Sequence, residues 1–280
     1  MKDTIMATNK KAFTLIELLV VVAIIAMLMA VLVPALRRVK QQATGAACLA
    51  NMKGLATCWH TYAMDNAERL VFGHSPNPGR YDSKQQYWVS FPQDELGNYK
   101  GNAGDVTLQY EQNGIKKGAL YPYVEAFDAY HCPGDKSNVL FADQYPNKPW
   151  WNSYSIPGLM NGEATFWSDP KVVNKMSDIV NPGNKIIFLE NSDPRGWIMG
   201  SWLMNYGATP SWTDPIAIWH KDRGSLGFAD GHAEMHLWVD PSTIENAVYA
   251  AGGVKNQTPK PGEKGEDILY MKQAYVPGRR

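Results

Sequence analysis

The chain has 280 residues with 27 basic and 27 acidic side chains, so its formal net charge is zero. That balance argues against a nucleic-acid binder working through a general basic surface. Three cysteines are too few for the disulfide framework of a small secreted scaffold, and the roughly 200 residues beyond the N-terminal region suffice for one sizeable domain.

Residues 1–12 are polar and basic, carry no core pattern and read as a leader. From Phe13 to Val33 only Thr14 and Glu17 are polar. At about 1.5 Å per residue this run spans roughly 32 Å, against about 30 Å of bilayer hydrocarbon. A helix apolar on every face needs burial all round, so a membrane span is expected over 13–33. The run is longer than the apolar region of a secretory signal peptide, and Val33-Pro34-Ala35-Leu36-Arg37-Arg38 holds no clear cleavage site. Lys2, Lys10 and Lys11 precede the span and favour a cytoplasmic N-terminus, although Arg37, Arg38 and Lys40 on the far side weaken the charge argument. Glu17 is the departure from the pattern. A carboxylate inside an apolar run costs about 2.5 kcal/mol or more unless it lies near the interface, is protonated or is paired.

Ala12-Phe13-Thr14-Leu15-Ile16-Glu17 resembles the cleavage and methylation motif of type IV prepilins and type II secretion pseudopilins. The resemblance implies cleavage by prepilin peptidase between Ala12 and Phe13, N-methylation of Phe13, and pairing of Glu17 with the terminal amine of a neighbouring subunit. The family usually has Gly where this chain has Ala12. A single-pass protein of the inner (cytoplasmic) membrane is implied, with the C-terminal domain extracytoplasmic. The implied partners are prepilin peptidase, other pilin-like subunits, secretion or pilus assembly machinery and membrane lipid, but no nucleic acid.

Beyond Pro34, expected to kink or thin the helix, the helical pattern continues to about residue 66. One apolar stripe runs through Leu36, Val39, Ala43, Ala46 and Ala50, and another on a shifted phase through Met52, Leu55, Trp59 and Tyr62. Cys48-Leu49-Ala50-Asn51-Met52-Lys53 is similar to a stretch found after the helix in a group of prepilin-like proteins named for a His-x9-Asp-Gly signature. Residues 67–118 read as turn-rich, with a short strand over Tyr87–Phe91. Tyr130-His131-Cys132-Pro133-Gly134-Asp135 resembles a second motif of that group. Without a second cysteine at metal-ligand spacing, Cys132 is not read as a metal ligand. It either forms a disulfide with Cys48 or Cys58, Cys48 being favoured because both lie in family-like motifs, or stays a buried thiol. Trp150, Trp151 and Trp167 lie among Pro and Asn. Their packing role is the simpler reading, and glycan binding by a membrane-tethered module is the alternative.

Lys185–Glu190 reads as a buried strand. His220 is followed nine residues later by Asp230-Gly231, the group's signature. Independently, Asp-Gly in a two-residue turn predicts a hairpin, pairing Phe228 with Ala233 and Leu226 with Met235. His220 reads as a structural hydrogen-bonding residue and Asp230 as a turn residue. His232, Glu234 and His236 share one strand face, and a solvated face is favoured over a metal site. Asp193, Asp222 and Asp230 are the residues available for calcium, without a dense oxygen-ligand loop. A short helix over Ile244–Tyr249 and an edge strand over Asp267–Tyr270 complete the chain. No catalytic constellation stands out, so an enzyme is not expected. The expected fold is α+β and pilin-like: a long helix over 13–66, transmembrane in its first half, on an antiparallel sheet within a domain over 67–280.

Overall fold

The computed structural model describes residues 14–75, 84–100, 106–142, 151–192, 200–248 and 257–278. Helix α1 (Leu15–Asp65) runs uninterrupted through Pro34. The chain divides into two compact units, 1–42 and 43–280. In the first unit every described side chain is exposed, including Leu18, Ile24, Leu28 and Val31. This is the surface that a bilayer would solvate.

In the second unit the buried face of α1 follows Gly45, Cys48, Met52, Leu55, Trp59 and Tyr62. The stripe expected through Ala43, Ala46 and Ala50 faces outward instead. Alanine carries little transfer energy, whereas burying Met52, Leu55 and Trp59 contributes roughly 1.5–3 kcal/mol each, so the larger side chains set the rotation of the helix.

The other helices are α2 (Leu108–Lys116), the single turns α3 (Tyr121–Val124) and α4 (Ser137–Leu140), α5 (Pro241–Val248) and α6 (Glu266–Tyr275). The strands are β1 (Tyr154–Pro157), β2 (Ile186–Glu190), β3 (Ser201–Trp202), β4 (Met204–Asn205), β5 (Ser211–Trp212), β6 (Arg223–Phe228) and β7 (Ala233–Leu237). Five form a sheet in the order β3-β1-β2-β6-β7, parallel between β1 and β3 and antiparallel elsewhere, and β4 pairs with β5. The α+β layout with a long N-terminal helix is therefore the one expected.

Three local expectations are corrected. Tyr87–Phe91 forms no strand, because Tyr87 makes only an isolated bridge to Phe72. Asp267–Tyr270 belongs to α6, not to an edge strand. Gly265 at φ +68° starts that helix, Glu266 and Asp267 occupy its first turn, and Ile268, Met271, Ala274 and Tyr275 recur on its buried face. The third concerns the hairpin. Leu226 lies opposite Glu234 and Gly227 opposite Ala233, so the connection is the three residues Ala229-Asp230-Gly231. A two-residue type I′ turn needs positive φ at both central positions. Here Gly231 supplies φ +89° while Asp230 is not among the positive-φ residues. The Asp230 carboxylate accepts the His232 N–H at 3.1 Å instead.

That one-residue change reverses which side chains share a face. Ser225, Gly227, Ala233 and Met235 turn toward α1, where Met52 packs against Gly227 and Met235 against Gly45. A Cβ on Gly227 would lie 3.0 Å from Met52 Cγ, so the glycine sets how closely helix and sheet approach. Leu226 and Phe228 turn to a second core with Trp202, Trp212, Trp238 and the buried face of α6. The register irregularity in β2 between Ile186 and Phe188 lets Ile187 and Phe188 both join the α1 side.

Candidate functional site

Two places hold the residues singled out by the sequence. The first is the start of α1. Thr14 Oγ1 accepts the Glu17 N–H at 3.3 Å, while Glu17 Oε2 accepts the Thr14 N–H at 2.9 Å and its hydroxyl at 2.7 Å. This is a reciprocal capping box, which satisfies donors that the first helical turn leaves open. The Thr-x-x-Glu spacing carried that signal in the sequence. Both bonds converge on Oε2, and among the described residues no donor meets Oε1. Ala12 and Phe13 lie outside the described residues.

The second place is buried between α1 and the sheet. Tyr154 on β1 lies directly opposite Glu190 at the end of β2. Ser225 on β6 donates its N–H to Glu190 Oε2 at 3.1 Å. Cys48 descends onto this row from α1, and its thiol donates to Glu190 Oε1 at 2.8 Å. Its sulfur also lies 3.1 Å from the Tyr154 hydroxyl and 3.0 Å from Ser225 Oγ. His220, in the segment entering β6, places Nε2 at 3.1 Å from Glu190 Oε1 and 3.2 Å from Cys132 Sγ. Cys132 sits in a tight turn, where its backbone N–H is held by Ser153 Oγ and its sulfur accepts the Gly134 N–H at 3.3 Å. One ligand atom each from Cys48, Cys132, Glu190 and His220 lies within 4.8 Å of all the others, and all four residues are buried.

The electrostatics follow from that crowding. Burial opposes the charged His220, but hydrogen bonds to Cys48 and Glu190 and their charges outweigh it, lifting the imidazole to about 10. The Cys132 thiol is pushed upward by its hydrogen bond with Cys48, then by burial and the Glu190 charge. Burial, reinforced by the same cysteines and carboxylate, holds Tyr154 well above the usual phenol range, so its hydroxyl remains a donor. The His220 Nδ1 atom is buried and meets no hydrogen-bond partner among the described residues. Without a metal, the cluster is a hydrogen-bonded knot closed to solvent.

Cys48, Cys132 and His220 come from three separate motifs and converge here. Asp230 and Gly231 do not, for they form the hairpin tip at the far end of β6. All three cysteines are free and buried, and Cys58 lies outside the cluster, so the disulfide considered for Cys132 is not formed. Sequence reasoning missed Glu190, Tyr154 and Ser225. Glu190 left a trace, since a carboxylate ending a fully buried apolar strand needs a partner.

The remaining sequence candidates are spent elsewhere. Glu234 accepts the Tyr270 hydroxyl at 2.8 Å, His236 stacks on Tyr270 and His232 on Phe228. Asp222 and Asp230 stand at opposite ends of β6, and Asp193 lies outside the described residues. Trp151 stacks on His131 and donates its indole N–H to the Phe127 carbonyl at 3.0 Å. Trp150 and the side chain of Trp167 lie outside the described residues.

A family profile described as the prokaryotic N-terminal methylation motif matches residues 7–33. The match covers the N-terminal segment alone and supports a prepilin-like, peptidase-processed N-terminus on a membrane-anchored chain. No curated protein and no solved structure matches the chain.

Proposed function

We propose that this protein is a pilin- or pseudopilin-like subunit of a type II secretion-like or type IV pilus-like assembly. The N-terminal span over 13–33 inserts into the cytoplasmic membrane, and prepilin peptidase cuts between Ala12 and Phe13. Phe13 is N-methylated, and Glu17 pairs with the terminal amine of a neighbouring pilin-like subunit. The domain with the His220–Gly231 segment lies outside the cytoplasm and belongs with the prepilin-like group named for that signature.

One observation carries the reading: an exposed apolar helix bears a single carboxylate in its first turn, within a matched methylation motif. The local cap does not neutralise that carboxylate. Thr14 supplies hydrogen bonds to Oε2 but no charge, whereas a neighbouring amine supplies both to a group that is costly to leave charged in lipid. Of the three tryptophans considered for glycan binding, Trp151 is the one whose side chain is described, and it is committed to packing.

The test separates cap from ion pair. Glutamine serves at the third helical position of a capping box as glutamate does, but it carries no charge. Glu17→Gln is expected to insert, be cleaved and fold as wild type while losing cross-linking to neighbouring subunits in native membranes. Glu17→Ala should lose cross-linking and fray the first turn as well. Wild-type cross-linking of Glu17→Gln would refute the ion-pair role. An N-terminal peptide from native membranes that begins at Phe13 with one added methyl is the expected mark of processing, and one beginning at Met1 would refute it.

A further inference from the structure

We propose that Cys48 Sγ, Cys132 Sγ, Glu190 Oε1 and His220 Nε2 bind one divalent transition-metal ion of the zinc class in a closed structural site. Two thiolates, an imidazole and a carboxylate suit zinc and its close substitutes rather than the oxygen-seeking calcium or magnesium. The number of donors is that of a complete tetrahedral site. With bond lengths of about 2.0–2.3 Å, tetrahedral ligand atoms sit roughly 3.3–3.8 Å apart. The contacts of 2.8, 3.1 and 3.2 Å within the cluster lie just under that spacing. All four donor atoms lie within 4.8 Å of one another, so a metal needs side-chain adjustments on the order of an ångström to reach tetrahedral spacing.

The surroundings are those of a metal centre. The Tyr154 and Ser225 hydroxyls contact Cys48 Sγ, the Gly134 N–H points to Cys132 Sγ and the Ser225 N–H holds Glu190 Oε2. These donors temper a centre that carries one net negative charge when both thiols and the carboxylate are ionised and the imidazole is neutral. Binding requires both thiols deprotonated and the imidazole neutral, so affinity rises with pH. Every ligand is buried and the four donors complete the coordination, which leaves no open position for substrate. The ion ties α1, the turn at Cys132, the end of β2 and the entry to β6 together at one point. The role is to lock the domain onto its helix, and it does not depend on the assembly reading above.

The experiment uses the full chain in detergent micelles, purified without a metal-affinity tag. Elemental analysis is expected to find about one zinc per chain. After removal of metal with a chelator, added Co²⁺ should give the visible bands of a tetrahedral ion and a thiolate charge-transfer band in the near ultraviolet. Cys48→Ser and Cys132→Ser should each lose roughly half of the charge-transfer intensity, one thiolate's share, and the double variant all of it. Since misfolding of these buried variants would give the same loss, two others keep the proposal open to refutation. Tyr154→Phe should keep the cobalt spectrum while weakening affinity about 10–100-fold in competition with a chromophoric chelator, and Cys58→Ser should change neither spectrum nor stoichiometry. Folded wild-type protein that gives no cobalt spectrum and whose melting is unmoved by zinc or chelator would overturn the proposal. So would a Cys48–Cys132 disulfide peptide in the natively isolated protein.

Discussion

Glu190→Gln is the substitution whose consequence is best defined in the metal-free protein. One carboxylate oxygen accepts the Cys48 thiol and faces His220 Nε2, and the other accepts the Ser225 N–H. Glutamine has the same shape but carries two donors on one terminal atom. With the amide nitrogen toward His220, it confronts the imidazolium. Turned the other way, it confronts the backbone N–H of Ser225, which cannot rotate. Either flip sets a donor against a donor and removes the charge opposite a buried cation. Removing one partner of a buried pair costs about 3–5 kcal/mol. For a domain of this size each kcal/mol is worth about 2–4 °C, so the melting midpoint should fall by roughly 10 °C. The assay is thermal unfolding of the full chain in detergent with a chelator present, followed by circular dichroism. His220→Gln and the double variant complete the cycle, with an expected coupling of roughly 1–3 kcal/mol. A Glu190→Gln midpoint within about 2 °C of wild type, less than 1 kcal/mol on the same scale, would refute the assignment of Glu190 as the node of the cluster.

Two further outcomes are expected. Trp88 is fully buried, stacks on Tyr130, meets Phe188 edge-on and shares its indole N–H between the Gly73 and Gly200 carbonyls at 2.9 Å each. Trp88→Phe removes that donor and part of the ring, so denaturant titration should show a loss of about 2–4 kcal/mol, and a loss below about 0.5 kcal/mol would contradict the bonding described. Burial holds the imidazoles of His60 and His236 below their usual value of 6.5. The unfolded chain then binds more protons than the native one just below pH 6.5, so their contribution is complete above that pH and is lost as the pH falls through it. Replacing His236 by Gln should flatten this acid limb of the stability profile, and an unchanged limb would show that His236 does not set it.

The N-terminal anchor was legible because its signals are local. Twenty or so apolar residues and a single carboxylate are read along one helix, with no distant partner needed. The buried strand at Ile186–Glu190 and the helix after Pro241 were legible for the same reason. The C-terminal segment misled because four apolar-rich residues fit strand or helix equally well, and only packing of Ile268, Met271 and Tyr275 against Trp202 and its neighbours chooses the helix. The hairpin was located correctly but mispaired by one residue, since Asp-Gly suits both a two-residue and a three-residue connection.

The buried cluster shows the division most clearly. By itself the sequence determined the residue types and their setting in separate motifs: Cys48 in an apolar helix, Cys132 in a Pro-Gly turn, His220 ahead of a hairpin. It could not show that they meet, because Cys48 and Ser225 are 177 positions apart and nothing local fixes their separation. Only the tertiary structure decided that. The larger side chains of α1 turned Cys48 inward, the pairing of β6 with β2 turned Ser225 toward the helix, and the pairing of β1 with β2 set Tyr154 beside Glu190. A one-residue slip of β6 along β2 would have presented Leu226 instead of Ser225 to Cys48, because neighbouring residues of a strand face opposite ways.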